Sequence, residues 1–173
     1  MNRFMCILIA LLINILQVNG QERYPTPASP NQLFYLQKNT NTNTIVCELN
    51  YKNGVLDASD PVNVFWMRYQ EQGQRKELNY IQRKFAYGIK SSQLAKDKYK
   101  LYFVSLKKYP MILKRSTNYK FNVYATINQK EAILHRIFVK INGGTFWSPN
   151  VEYIELKGLD PLTGIETVER LKI

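Results

Sequence analysis

His135 is the single histidine of the chain. It stands in EAILHRIFVKI, Glu131–Ile141, where period-two alternation places it on one face with Ile133, Ile137 and Val139. In that company it is expected as a packed core residue. Acyl-transfer chemistry would need a serine beside it, and no nucleophile-elbow sequence is present. A zinc site would have to draw on one histidine, Cys47 and carboxylates that lack ligand spacing. Glu152 and Glu155 are three apart on an expected strand, so they point to opposite faces and cannot pair as acid and base. A hydrolase would therefore have to assemble His135 with scattered carboxylates such as Glu48. Asp57 and Asp60 in VLDASDPV lack a calcium-loop glutamate in register, and a turn is expected there. No glycine-rich phosphate loop precedes a helix. No cofactor and no metal are expected, and the balance weighs against an enzyme.

The residues better suited to binding are basic and aromatic. Arg68 interrupts the apolar row Val62, Val64, Trp66, and Arg136 interrupts Leu134 and Phe138. A buried arginine must meet a carboxylate or an anionic ligand, since an unpaired charge costs several kcal/mol, of order 3–5. Partners within the chain would be Glu48, Glu152 or Glu155. The stretch NYIQRKFAYGIK, Asn79–Lys90, mixes Arg83 and Lys84 with Tyr80 and Tyr87. Aromatic rings beside guanidinium and ammonium groups suit sugar rings and anions. The candidate ligand-binding residues are thus Arg68, Tyr80, Arg83, Lys84, Tyr87 and Arg136. A solvated helix face is the competing reading of the four in this stretch.

The elements that must hold these residues are mostly strands. QLFYLQ, TIVCELNY, VNVFWMRY, YKLYFVSL, YKFNVYATI, EAILHRIFVKI and PNVEYIELKG are rich in β-branched and aromatic residues with period-two alternation. In Tyr119–Ile127 the odd positions are expected inward. NTNTNT, Asn39–Thr44, reads as a hairpin loop, and Asn142-Gly143-Gly144 and DPLTG as turns. Pro110 separates two strands. Leu78–Gly88 departs from this rhythm: at about 100° per residue Leu78, Ile81 and Phe85 align. An amphipathic helix of about three turns is expected, its apolar ridge on the sheet and Gly88 as its C-cap. The fold class is a mostly β, single antiparallel β-sandwich or partly open barrel of about eight to nine strands, with one short amphipathic helix packed on it.

Residues 1–20 read as a signal peptide. Arg3 precedes the apolar run Phe4–Leu16, and Val18 and Gly20 precede a cut before Gln21. The run is shorter than the about 20 residues of a membrane span, so no transmembrane segment is expected after cleavage. Residues 21–31, with three closely spaced prolines, read as an extended, mobile lead-in, and residues 32–173 as one β-rich domain. Cys47 is then the lone cysteine and is expected as a buried thiol. Export to the periplasm or the cell exterior follows from the signal. The chain carries 24 Lys and Arg against 13 Asp and Glu. A basic exported protein suits anionic lipid or glycan partners. No dense basic tract or RNA motif supports nucleic acid.

FYLQKNTNTNTIV, VNVFWMRY, ELNYIQRKFAYG, INQKEAILHRIFVKI and PNVEYIELKG together resemble the bacterial family catalogued as domain of unknown function 4833. The resemblance spans nearly all of residues 21–173 and implies a bacterial exported protein. It assigns no catalytic or binding residue. Three functions follow from the residues: a non-catalytic, envelope-associated binding domain using the basic-aromatic surface, a hydrolase around His135, or a carrier of a small apolar ligand inside a barrel.

Overall fold

The computed structural model describes residues 24–145 and 148–172, so the expected signal segment lies outside the described residues. The strands are β1 Gln32–Lys38, β2 Asn41–Leu49, β3 Tyr51–Lys52, β4 Val55–Leu56, β5 Val62–Arg68 and β6 Gln74–Glu77. After helix α1, Tyr80–Phe85, come β7 Ile89–Ala95, β8 Lys98–Phe103, β9 Met111–Arg115 and β10 Phe121–Ile127. β11 Lys130–Gly144, β12 Pro149–Leu159 and β13 Glu166–Lys172 complete the sheet. Nine strands follow the order β6-β5-β2-β1-β11-β10-β9-β8-β7 and curl into a half-barrel, the partly open form expected. β12 and β13 extend from the other edge of β11. All pairings are antiparallel except β1 with β11.

β11 makes the half-barrel possible by changing partner along one edge. Lys130–Ile133 pair with β10, and Arg136–Val139 pair with β1. The register against β12 slips between Leu134 and Arg136, leaving His135 as the extra residue. Such a bulge bends a strand and adds twist. Here it sits between the two partnered stretches, where the wing β1-β2-β5-β6 and the wing β10-β9-β8-β7 diverge. It also resets the alternation. Ala132 and Leu134 are buried before it and Ile137 after it, while His135 is exposed. The expected core placement of His135 is thus corrected: strict alternation does not survive a bulge.

The wings face one another across the core. Phe34, Ile45, Cys47, Val62 and Val64 come from one, and Leu101, Phe103, Leu113, Val123 and Ile127 from the other. Cys47 is buried as expected, and burial pushes its thiol well above the usual range. Tyr119 is a second correction. It lies in a left-handed turn at φ 64°, is 80% exposed and precedes β10. Tyr124, expected outward, is buried beneath the Lys114 ammonium, 4.2 Å from its ring centroid. The NTNTNT loop is shorter than expected, since β2 already begins at Asn41. Asn142–Gly144 continue β11 rather than turning.

The described part of the lead-in is extended and meets the sheet at Pro25 and Ser29. Gln37 donates Nε2 to the Pro25 carbonyl at 2.8 Å, and Ser29 Oγ donates to Glu48 Oε2 at 2.5 Å. Pro27 is buried.

Helix α1 links β6 to β7, the two ends of the nine-strand path. It has six residues, about a turn and a half, not three turns. Asn79 Oδ1 accepts from Gln82 N at 2.8 Å, and Gln82 Oε1 accepts from Asn79 N at 3.1 Å, a reciprocal capping box. Gln82 Oε1 also accepts from Trp66 Nε1 at 3.3 Å, which ties the helix to β5. Leu78 is buried, but Ile81 and Phe85 are exposed, so the expected apolar ridge on the sheet is not formed. A helix this short, with its entry fixed by the cap, presents only its preceding residue to the core. Ala86, not Gly88, is the C-cap. Gly88 serves a close approach instead: a Cβ there would lie 1.9 Å from the Arg83 carbonyl oxygen.

Candidate functional site

Of the six basic and aromatic candidates, Tyr80, Arg83 and Lys84 share helix α1 and Tyr87 follows it, while Arg68 and Arg136 lie apart on β5 and β11. Arg68 pairs with Glu71 in the one-turn helix that follows β5. Arg83 reaches Glu77 at 3.5 Å. Lys84 donates to the Tyr80 hydroxyl at 2.9 Å and stands over the Phe85 ring. Arg136 donates Nε to Gln37 Oε1 at 2.8 Å and stacks near Phe138 and Tyr24, on the outer face of β11. Leu36, Ile137 and Leu156, on the opposite face, point inward. Arg136 therefore lies across the sheet from Tyr87, which faces the interior. Glu48 belongs to Arg75 at 2.9 Å, and Glu155 to Arg170 at 2.8 Å.

His135 lies near Glu166 and Lys157, and its pKa is lowered, chiefly by partial desolvation of the ring although the residue is exposed; Glu166 opposes this and Lys157 adds to it. Glu166 is itself paired with Lys157 at 2.7 Å. Asp57 accepts from Ser59 N and Oγ and pairs with Lys52, which holds its carboxyl well below the usual range and uses it as a turn former. No group of three metal-ligating side chains occurs among the described residues.

The arrangement with the clearest binding geometry is an apolar trough on the inner face of the half-barrel. It has two adjoining chambers of about 350 and 380 Å³. Phe103, Leu106 and Ile137 line both. Both volumes fall within the roughly 300–1,000 Å³ of small-molecule sites. The larger chamber is bounded by Leu36, Val139 and Ile154 from the sheet and by Tyr87 and Phe85 from the end of α1 and the residues after it. Phe85 is thus a rim residue, which accounts for its exposure. The smaller chamber ends in polar groups, with Gln129, Lys108 and Glu169 at its margin.

At the mouth of the larger chamber stands Lys38. Its Nζ donates to the Tyr87 hydroxyl at 2.8 Å and lies 5.3 and 5.2 Å from the ring centroids of Trp66 and Tyr87. Those two rings meet edge to face at 5.2 Å. The cluster comes from β1, β5 and the segment after α1, residues separated in sequence by up to 49 positions. Of its members only Tyr87 is singled out by sequence. The Asn79-x-x-Gln82 spacing of a capping box, which positions the cluster through Trp66, is the local signal that could have found the helix start.

A family model matches residues 34–170, described as a domain of unknown function, DUF4833. The chain belongs to the DUF4833 family. No curated protein and no solved structure matches it. The DUF4833 match begins at Phe34, within β1, and ends at Arg170, so it takes in Lys38 and most of the trough lining. Among the described residues no helix is long and apolar enough to cross a membrane.

Proposed function

We propose that this DUF4833 protein is a non-catalytic binding protein that takes the apolar body of a small ligand into the trough. The carrying observation is the pair of adjoining chambers lined by Leu36, Phe103, Leu106, Ile137 and Val139. Apolar surface that stays accessible on an inward face is covered favourably by an apolar guest, at about 25 cal/mol per Å² removed from water. Catalysis has less support, because the carboxylates that a hydrolase would recruit are engaged in separate ion pairs with Arg75, Arg170 and Lys157. Export is proposed on the signal pattern of residues 1–20, and N-terminal sequencing of the secreted protein should read from Gln21.

The test uses a neutral fluorescent probe, N-phenyl-1-naphthylamine. Saturable binding at one site, abolished by Val139→Trp in a variant that keeps its far-ultraviolet spectrum, is expected. Native mass spectrometry of protein purified from its source should show a retained small molecule. Absence of saturable binding with an empty mass spectrum would overturn the reading.

A second reading concerns α1. Tyr80 and Phe85 are exposed, with Lys84 between them and Arg83 alongside. This edge suits contact with an anionic envelope lipid. Flotation with anionic vesicles that weakens from low to high salt is expected. Retention unchanged by salt would remove this reading.

A further inference from the structure

We infer that the trough takes amphiphiles with an anionic head, and that Lys38 binds the head. The inference rests on the binding role proposed for the trough. Lys38 lines the larger chamber and is half-buried. An ammonium has three N–H donors. One goes to the Tyr87 hydroxyl, and the Trp66 ring, its centroid 5.3 Å away, supplies partial compensation for the charge. No carboxylate among the described residues forms an ion pair with Lys38, whereas Lys52, Lys114 and Lys157 each have one. A partly desolvated cation at the mouth of an apolar chamber, held by a hydroxyl and one indole ring, has donor capacity left for a carboxylate or phosphate oxygen.

The polarity of the trough sets the orientation of the guest. At the far chamber Lys108 is exposed and shares the margin with Glu169, whose charge repels an anion. Among the described residues no carboxylate lines the larger chamber beside Lys38. The head therefore sits by Tyr87 and Trp66, and the tail runs past Leu36, Val139 and Ile137 toward Leu106. Low dielectric around the pair strengthens the contact relative to a surface ion pair.

The experiment compares dodecanoate, dodecyl phosphate and dodecanol as displacers of the neutral probe from the full secreted chain. Both anions are expected to bind at least about tenfold more tightly than the alcohol, a difference of about 1.4 kcal/mol. Lys38→Met should abolish that preference, and Lys38→Arg should retain it. A preference for only one of the anions identifies the head chemistry within the same inference. Equal binding of acid, phosphate and alcohol by the native chain would overturn the Lys38 assignment while leaving the trough reading standing. If none of the three displaces the probe, or the probe never binds, the trough reading falls and this inference with it. Should Lys38→Met not fold, the native comparison and Lys38→Arg still decide.

Discussion

Phe34 of β1 and Phe103 of β8 meet edge to face across the interior, their ring centroids 6.0 Å apart and their planes at 88°. The two strands share no hydrogen bond and belong to different wings. This contact is one of those that pack the wings together on the core side. Aromatic pairs in this geometry are worth about 0.5–1.5 kcal/mol beyond the area they bury.

A double-mutant cycle with Phe34→Leu and Phe103→Leu should therefore show a coupling of about 0.5–1.5 kcal/mol in urea unfolding. Each single change should cost about 1–3 kcal/mol. Strict additivity of the two would mean that the wings are held by other contacts.

Gly88 lies in the segment that leaves α1 for β7, between the two ends of the nine-strand path. Gly88→Ala puts a methyl 1.9 Å from the Arg83 carbonyl oxygen, and backbone on both sides must move. Overpacking of this kind costs about 1–3 kcal/mol. The midpoint of thermal unfolding should fall by roughly 2–4 °C per kcal/mol lost. An unchanged midpoint would show that the α1–β7 junction is free to shift.

Most strands were legible because their alternation is clean and their turn residues are strong. Val123, Ala125 and Ile127 are inward as the pattern says, and DPLTG turns the chain as its residues require. Sequence failed where one residue changes the phase or the length of an element. His135 is a bulge, and no periodicity argument carries across an inserted residue. The helix was overextended because Leu78, Ile81 and Phe85 obey helical spacing, while Phe85 serves a trough rim that exists only once β11 and β12 are in place. Lys38 was invisible as a site residue. Its partners Tyr87 and Trp66 come from other elements, and nothing local distinguishes it from a solvated lysine.

The two arginines that interrupt apolar rows should behave differently. Removing Arg136 leaves Gln37 Oε1 without its donor, and Gln37 is 2% exposed. An orphaned buried acceptor costs about 1–3 kcal/mol. Arg68 instead pairs with a partly exposed Glu71 three residues on, a contact worth about 0–1 kcal/mol. Arg136→Ala should thus destabilise clearly more than Arg68→Ala in chemical denaturation. Neither should alter affinity for the neutral probe, since neither side chain lines the trough. Equal losses of stability would show that Gln37 finds another donor.

His135 gives a pH dependence that can be read without ambiguity, because the chain has one histidine. Although the residue is exposed, its folded pKa is lowered, mainly by partial desolvation of the ring by its neighbours. The unfolded chain therefore takes up a proton near pH 6.5, before the folded chain does. Stability from this residue is present above pH 6.5 and is lost as pH falls from that value toward the folded pKa. The imidazole proton resonance of the native protein should titrate with a midpoint below 6.5. Urea unfolding between pH 7.5 and 5.5 should show declining stability, and His135→Gln should flatten that decline. A native midpoint above 6.5 would mean that Glu166 outweighs desolvation at the bulge, and the slope in the same window would then reverse.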